Sequence, residues 1–153
     1  MITTLLILHA LLAVTLLGAI THQAFSVLLP VQTPGSFVGR FRAVPGAAYV
    51  NAIIVLYLAT ATLGGIIYPS YRLSVRIVLQ QLEMYAANGI FELKEHFVAV
   101  GLGILPAYWY FWRQPLGGDY QRTRTILTMI LGFIIWWSFI VGHILNNIQG
   151  FGV

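Results

Sequence analysis

The sequence has 153 residues, of which 59% are apolar and only 8% are charged. A soluble domain carries about 25% charged residues, and a chain of this length has too little interior to bury so much apolar surface. Together with a mean hydropathy of +0.85, these values exclude a water-soluble globule and predict a membrane protein. The chain has no cysteine, which also excludes disulfides, covalently attached c-type haem, thiolate metal sites and iron–sulfur clusters.

Four apolar segments are long enough to cross a bilayer, which takes about 20 residues. In chain order they cover residues 2–29, 47–67, 90–112 and 125–145. Pro30 and Pro69 are expected to end the first two segments, and nothing is left over for a soluble domain. The sequence therefore predicts a single all-α domain over residues 1–153, a four-transmembrane-helix up-down-up-down bundle.

The connections between these spans differ in character. Residues 31–46 and 114–124 contain Pro and Gly and predict loops. Residues 70–88 instead have helical periodicity, with apolar residues over most of the surface and Asn88–Gly89 as the expected end. One face of this segment carries the polar side chains, which are Arg72, Arg76, Gln80 and Glu83. This pattern predicts an interfacial helix in the lipid headgroup region or, equally well, a helix that packs on its own bundle.

The basic residues lie between the apolar segments, so they indicate membrane topology rather than nucleic-acid binding. Both termini of a four-span protein lie on one side of the membrane. Five basic residues fall on the opposite side and three on the side of the termini, so the positive-inside rule places both termini outside, in a bacterial-type inner (plasma) membrane. The five are Arg40, Arg42, Arg113, Arg122 and Arg124, and the three are Arg72, Arg76 and Lys94.

Two features inside the spans bear on packing and transport. Small residues recur at four-residue spacing, at Ala61–Gly65 and Ala99–Gly103, and predict close contacts between helices. The middle parts of the spans carry few polar side chains, of which Thr15, Asn51, Thr60 and Ser138 stand out. A hydrated path across the membrane would need more of them.

Ionisable side chains inside a membrane are costly and are therefore candidates for function. His9, His96 and His143 come from three spans, and all three are expected at the leaflet that holds the termini. Glu92 lies on the same helix face as His96, and Glu95 precedes it directly. Three imidazoles at similar depth favour one b-type haem, or else a zinc, copper or iron ion that Glu92 would also ligate.

The carboxylates of Glu92 and Glu95 would orient these imidazoles through their second N–H groups. A protein without any cofactor, in which the histidines form polar contacts between helices, stays an open alternative.

Residues 8–13, Leu-His-Ala-Leu-Leu-Ala, followed by Leu17 and Gly18, resemble the first helix of two kinds of bacterial membrane family. These are the copper-resistance D type and the four-helix cytochrome b type, and the resemblance covers about one span. The resemblance to the four-helix cytochrome b families implies a haem-ligating role for His9. It also implies paired histidines near both leaflets, whereas here only His22 falls at the second leaflet, so the resemblance favours one site over two.

Three functions follow, in order of preference. The first is a small membrane redox protein that holds one haem or metal ion near the outer leaflet and exchanges electrons with lipid-soluble quinol. The second is a non-catalytic accessory or assembly subunit of a larger membrane complex. The third is a transporter of a small solute or metal ion. No catalytic nucleophile or general base can be assigned, and the lipid bilayer is the one partner common to all three.

Overall fold

The computed structural model describes residues 2–28, 39, 45–115 and 118–151. Its helices are α1 (Ile2–Leu28), α2 (Val50–Ser70), α3 (Arg76–Gln81), α4 (Tyr85–Arg113) and α5 (Gln121–Phe151). A 3-10 turn, Gly46–Tyr49, precedes α2, and a π-helical turn, Tyr71–Val75, joins α2 to α3. The described residues contain no strand, which confirms the all-α prediction. The expected end at Pro30 and most of the predicted loop 31–46 lie outside the described residues.

Three stretches of helix are long and apolar enough to cross a membrane: Ile2–Leu28, Gly46–Gln81 and Gln121–Asn146. They confirm the prediction of a membrane protein. The helix α4 is 29 residues long and is not among the three. It carries Glu92, Lys94 and Glu95 near its start and Arg113 at its end, and its last turns are rich in tyrosine and tryptophan. The four-span bundle therefore stays a prediction.

The second predicted span does not end at Pro69. Proline lacks an N–H donor and its ring presses on the carbonyl four residues back, but the helix continues through it, and the N–H of Tyr71 donates to the carbonyl oxygens of Ile67 and Tyr68. The π-helical turn follows, with the N–H of Arg76 donating to the carbonyl five residues back, at Tyr71. The apolar helix and the predicted interfacial helix are thus one continuous stretch.

The boundary between this stretch and α4 also differs from the prediction. Asn88 and Gly89 lie inside α4, and the chain instead turns at Leu82–Met84, where Glu83 has a left-handed φ of 56°. The segment 71–81 packs one face against the start of α4. Leu79 is buried. The rings of Tyr71 and Phe91 are stacked, with their centroids 3.7 Å apart. Arg76 Nη1 lies 3.2 Å from Glu92 Oε1.

The interior combines apolar side chains from α1, α2, α4 and α5 with a polar network near the loop between α1 and α2. Gln23 is fully buried. Its amide nitrogen donates to the carbonyl oxygen of Gly46 at 3.0 Å, and its amide oxygen accepts from the hydroxyl of Tyr108 at 2.6 Å. Each buried polar group of this network has a partner, so the network joins three parts of the chain without leaving a desolvated group.

The turn between α4 and α5 is held by a buried guanidinium. Arg124 is only 2% exposed, and its Nη1 donates to the carbonyl oxygens of Gln114 at 3.2 Å and Pro115 at 3.0 Å. The last carbonyls of a helix have no partner within the helix, so Arg124 satisfies acceptors just past the end of α4. The sequence predicts Arg124 as the end of the loop over residues 114–124, whereas it lies in the first turn of α5, which begins at Gln121.

The small residues at which helices approach closely are not the ones predicted from the four-residue spacing, but glycines one or two positions away. An added Cβ at Gly65 or Gly103 would meet nothing within 4 Å. The tight positions are instead Gly64, where an added Cβ would lie 3.3 Å from Cε1 of His9, and Gly101, where it would overlap the hydroxyl of Tyr57. In a helix that is apolar on every side, spacing alone does not tell which small residue faces a neighbour.

Candidate functional site

A cavity of about 80 Å³ lies between the four long helices α1, α2, α4 and α5. Most of its wall is apolar, with Leu16, Val98 and Phe139 among the contributors. Its polar side chains come from all four helices and are His9, Tyr57, Thr60, Lys94, Glu95 and Ser138. A mainly apolar lining with a few converging polar groups is typical of small-molecule sites, but this cavity is smaller than the roughly 300–1,000 Å³ of sites for drug-sized ligands.

Three polar atoms at this cavity are buried without a hydrogen-bond partner among the described residues: His9 Nδ1, Thr60 Oγ1 and Ser138 Oγ. They belong to α1, α2 and α5 respectively. Leaving a buried polar group unsatisfied costs about 1–3 kcal/mol, and such groups are rare in native proteins. Other such atoms, among them Arg124 Nη2 and Trp137 Nε1, belong to residues that do not line the cavity. The three at the cavity are its candidate contacts for a polar ligand.

An ion pair forms the charged end of the cavity. Lys94 Nζ lies 3.0 Å from Glu95 Oε1, with side-chain exposures of 14% and 37%. The ammonium also lies 4.6 Å from the centroid of the Phe91 ring, which is a favourable cation–π distance. Because Glu95 is more than a third exposed, the cavity reaches the protein surface at this end. Both charged groups interact electrostatically with the imidazole of His9.

The hydroxyl of Tyr57, unlike those of Thr60 and Ser138, has a hydrogen-bond partner in the cavity wall. It donates to the carbonyl oxygen of Val98 at 3.0 Å, and the residue is 3% exposed. The close approach of its ring to α4 depends on the missing side chain of Gly101. Gly64 does the same for His9, because a methyl group there would press on the imidazole. Two glycines thus set the positions of two side chains that line the cavity.

The three predicted ligand histidines do not share this cavity. His9 lines it. His96 is exposed, and its Nδ1 donates to the carbonyl oxygen of Glu92 at 2.7 Å. His143 is also exposed and stacks parallel to Phe139, with ring centroids 6.3 Å apart. His22 is buried and stacks on Tyr49 with ring centroids 4.5 Å apart.

The two carboxylates predicted to support those histidines also separate. Glu95 lines the cavity with His9, whereas Glu92 pairs with Arg76. Within the described ranges, no group of three or more His, Cys, Asp or Glu side chains is arranged to hold a metal ion. A haem or metal ion bound by His9, His96 and His143 therefore stays a prediction, and His9 is the one of the three placed at a cavity.

Sequence reasoning found part of this site. Thr60 and Ser138 are among the few polar residues of the span interiors, and both line the cavity. Lys94 lies within the same five residues as Glu92, Glu95 and His96, which is a signal for function, but the sequence assigns it no ligand role. Tyr57 carried no signal, because a tyrosine in an apolar helix is usually part of the packing.

Comparisons with known proteins add no relative. No protein-family model matches the chain, no curated protein matches it, and no solved structure matches it.

Proposed function

We propose that this chain is a membrane protein that binds the head group of a quinone or quinol in the cavity beside His9. The observation that carries the proposal is the set of three unpartnered buried polar atoms around a mostly apolar cavity. A quinone has an apolar ring and tail and two oxygen atoms, and it reaches such a cavity through the lipid phase.

The donors and acceptors at the cavity suit both redox forms of this ligand. The hydroxyls of Thr60 and Ser138 and the ammonium of Lys94 can each donate to a quinone oxygen. The carboxylate of Glu95 and the unprotonated nitrogen of His9 can accept from a quinol hydroxyl. The apolar wall then covers the ring. This ligand belongs to the redox function preferred from the sequence, and it suits an accessory subunit that holds quinol for a larger complex equally well.

The proposal includes a topology in which α1, α2, α4 and α5 all cross the membrane. The cavity draws on these four helices, and α5 packs against both α1 and α4. Crossing alternately, they would bring the start of α1, the end of α2, the start of α4 and the end of α5 to one side. In this arrangement, both termini lie outside a bacterial inner membrane, as the charge distribution favours.

The test is a binding titration of the purified protein in detergent with decylubiquinone, a short-chain quinone. Quenching of tryptophan fluorescence reports binding. Thr60→Val removes one cavity hydroxyl at nearly constant volume, and Ser138→Ala removes the other. Each loss of a hydrogen bond worth about 0.5–1.5 kcal/mol should weaken binding about two- to tenfold.

The matched control is Thr15→Val. It removes a threonine hydroxyl from a membrane helix, but Thr15 is exposed and donates to the carbonyl oxygen of Leu11 in its own helix. Binding by this variant should equal that of the wild type. The proposal is wrong if the wild type does not bind the quinone saturably, or if the Thr60 and Ser138 variants bind as tightly as the Thr15 variant.

A further inference from the structure

A second recess lies outside the cavity, along the surface of the π-helical turn and α3. It is a shallow groove, largely open to its surroundings, along one face of this helical stretch. The residues that line it occupy successive helical turns and are Pro69, Arg72, Leu73, Arg76, Ile77 and Gln80. None of them contributes to the His9 cavity, so the groove is independent of the proposed quinone site.

The groove carries an excess of positive charge. Arg72 is exposed, and its guanidinium carbon lies 5.8 Å from the centroid of the Tyr68 ring. Arg76 has a side-chain exposure of 27% and pairs through Nη1 with Glu92. A guanidinium has five N–H donors in a planar fork, so this ion pair leaves donors of Arg76 available. Among the described residues, the lining of the groove thus holds two guanidinium groups and no carboxylate, since Glu92 lies beside it and its ion pair is with Arg76. The groove suits an anion with several oxygen atoms.

The position of the groove along its helix indicates where this anion comes from. The continuous stretch Gly46–Gln81 has 36 residues, which makes it about 54 Å long at 1.5 Å per residue. The hydrocarbon core of a bilayer is about 30 Å thick, so the stretch must extend beyond it. Residues 50–70 contain no charged side chain, so the extension is the end with Arg72 and Arg76.

Apolar side chains beside the arginines complete the match to a lipid. Leu73 is 75% exposed and Ile77 is 44% exposed, and both line the groove. A soluble phosphate would gain nothing from them, whereas the glycerol and the upper acyl chain of a phospholipid would contact them. Arg72 and Leu73 lie within the π-helical turn, where the hydrogen bonds span five residues instead of four. Such turns often occur at functional sites.

We propose that this groove binds the head group of an anionic phospholipid, with Arg72 and Arg76 donating to the phosphate and with Leu73 and Ile77 against the lipid below it. Polar interactions from Gln80 extend the site by one turn. The bound lipid would hold the junction of α2 and α3 at the membrane surface.

The proposal is tested by native mass spectrometry of the full chain in detergent, titrated with phosphatidylglycerol, with phosphatidylcholine and with inorganic phosphate. Phosphatidylglycerol should bind most tightly. Arg72→Gln removes a charge-assisted donor to the phosphate, so it should weaken phosphatidylglycerol binding about tenfold. The double variant Arg72→Gln/Arg76→Gln should weaken it roughly 100-fold.

Two controls separate lipid binding from general effects. Glu92→Gln breaks the same ion pair as the Arg76 substitution but keeps both guanidinium groups, so it should bind phosphatidylglycerol at least as tightly as the wild type. Arg122→Gln removes an equal charge at another exposed position and should keep the tightly bound lipid. If the double variant does not fold, as judged by circular dichroism, the comparison of Arg72→Gln with Arg122→Gln decides.

Three results would overturn the proposal. The first is equal binding of phosphatidylglycerol and phosphatidylcholine. The second is equal loss of binding in the Arg72 and Arg122 variants. The third is inorganic phosphate binding as tightly as phosphatidylglycerol, which would make the groove a site for free phosphate.

Discussion

The contact between Gly101 and Tyr57 gives the sharpest test of the packing around the cavity. A Cβ at Gly101 would overlap the Tyr57 hydroxyl and crowd its ring carbons. The ring is almost fully buried and cannot move outward. The substitution Gly101→Ala should therefore push the ring toward the cavity and break the hydrogen bond between the Tyr57 hydroxyl and the carbonyl oxygen of Val98.

The expected loss of stability follows from three contributions. Overpacking a buried position costs about 1–3 kcal/mol, and the adjoining cavity gives the ring some room, so about 1–2 kcal/mol is expected here. The lost hydrogen bond adds about 1 kcal/mol. Replacing glycine by alanine within a helix returns about 1 kcal/mol. The free energy of unfolding should thus fall by about 1–2 kcal/mol.

The matched control is Gly103→Ala in the same helix, where an added Cβ meets nothing within 4 Å. This variant should gain up to about 1 kcal/mol from helix propensity alone. Unfolding in mixed micelles of dodecyl sulfate and dodecyl maltoside, followed by circular dichroism, measures both. A difference of about 1–3 kcal/mol between the two variants is expected. Equal stability would refute the reasoning, because it would mean that Tyr57 does not occupy the space beside Gly101.

Three further outcomes are expected. Tyr108→Phe leaves the fully buried amide oxygen of Gln23 without its donor. The free energy of unfolding should therefore fall by about 1–3 kcal/mol in the same micelle assay. Tyr110→Phe, at an exposed position, should change it little. If the predicted haem is bound by His9, the purified protein should have a sharp α-band after dithionite reduction that His9→Ala abolishes; a featureless spectrum after expression with ample haem, and metal analysis without zinc, copper or iron, would refute the cofactor predictions. If the chain is an accessory subunit, mild detergent extraction should recover it with a stoichiometric membrane partner, and a stable protein free of partners would contradict this.

The sequence was sufficient for the membrane character because this depends on composition alone. The limits of the helices were harder to predict, because Pro69 and Asn88–Gly89 are weak stop signals in a nonpolar setting. A helix that loses one hydrogen bond at proline continues when packing favours it, and here Tyr71 stacks on Phe91 just beyond the proline. Glu83, the residue that marks the actual turn by its positive φ, is not a residue type that predicts one.

The candidate site was predicted in part for a related reason. Helix α1 is apolar on nearly every side, so its periodicity does not indicate which face turns inward. The position of a residue along its span predicts its depth in the membrane, and this places His9 and Glu95 at a similar level. Both residues line the cavity. Depth alone could not separate His9 from His96 and His143, since that depends on the rotation of each helix about its own axis. Thr60 and Ser138 face the cavity for the same rotational reason.

The buried position of Arg124 has a consequence for how the protein acquires its orientation. The positive-inside rule acts on charges near the ends of the spans while the chain is being inserted. If α4 and α5 both cross the membrane, as proposed above, Arg124 would count as a free cation during insertion, before these helices pack. In the folded chain the same guanidinium is buried and donates to the carbonyl oxygens of Gln114 and Pro115. In that topology one side chain would contribute first to orientation and then to the packing of the turn.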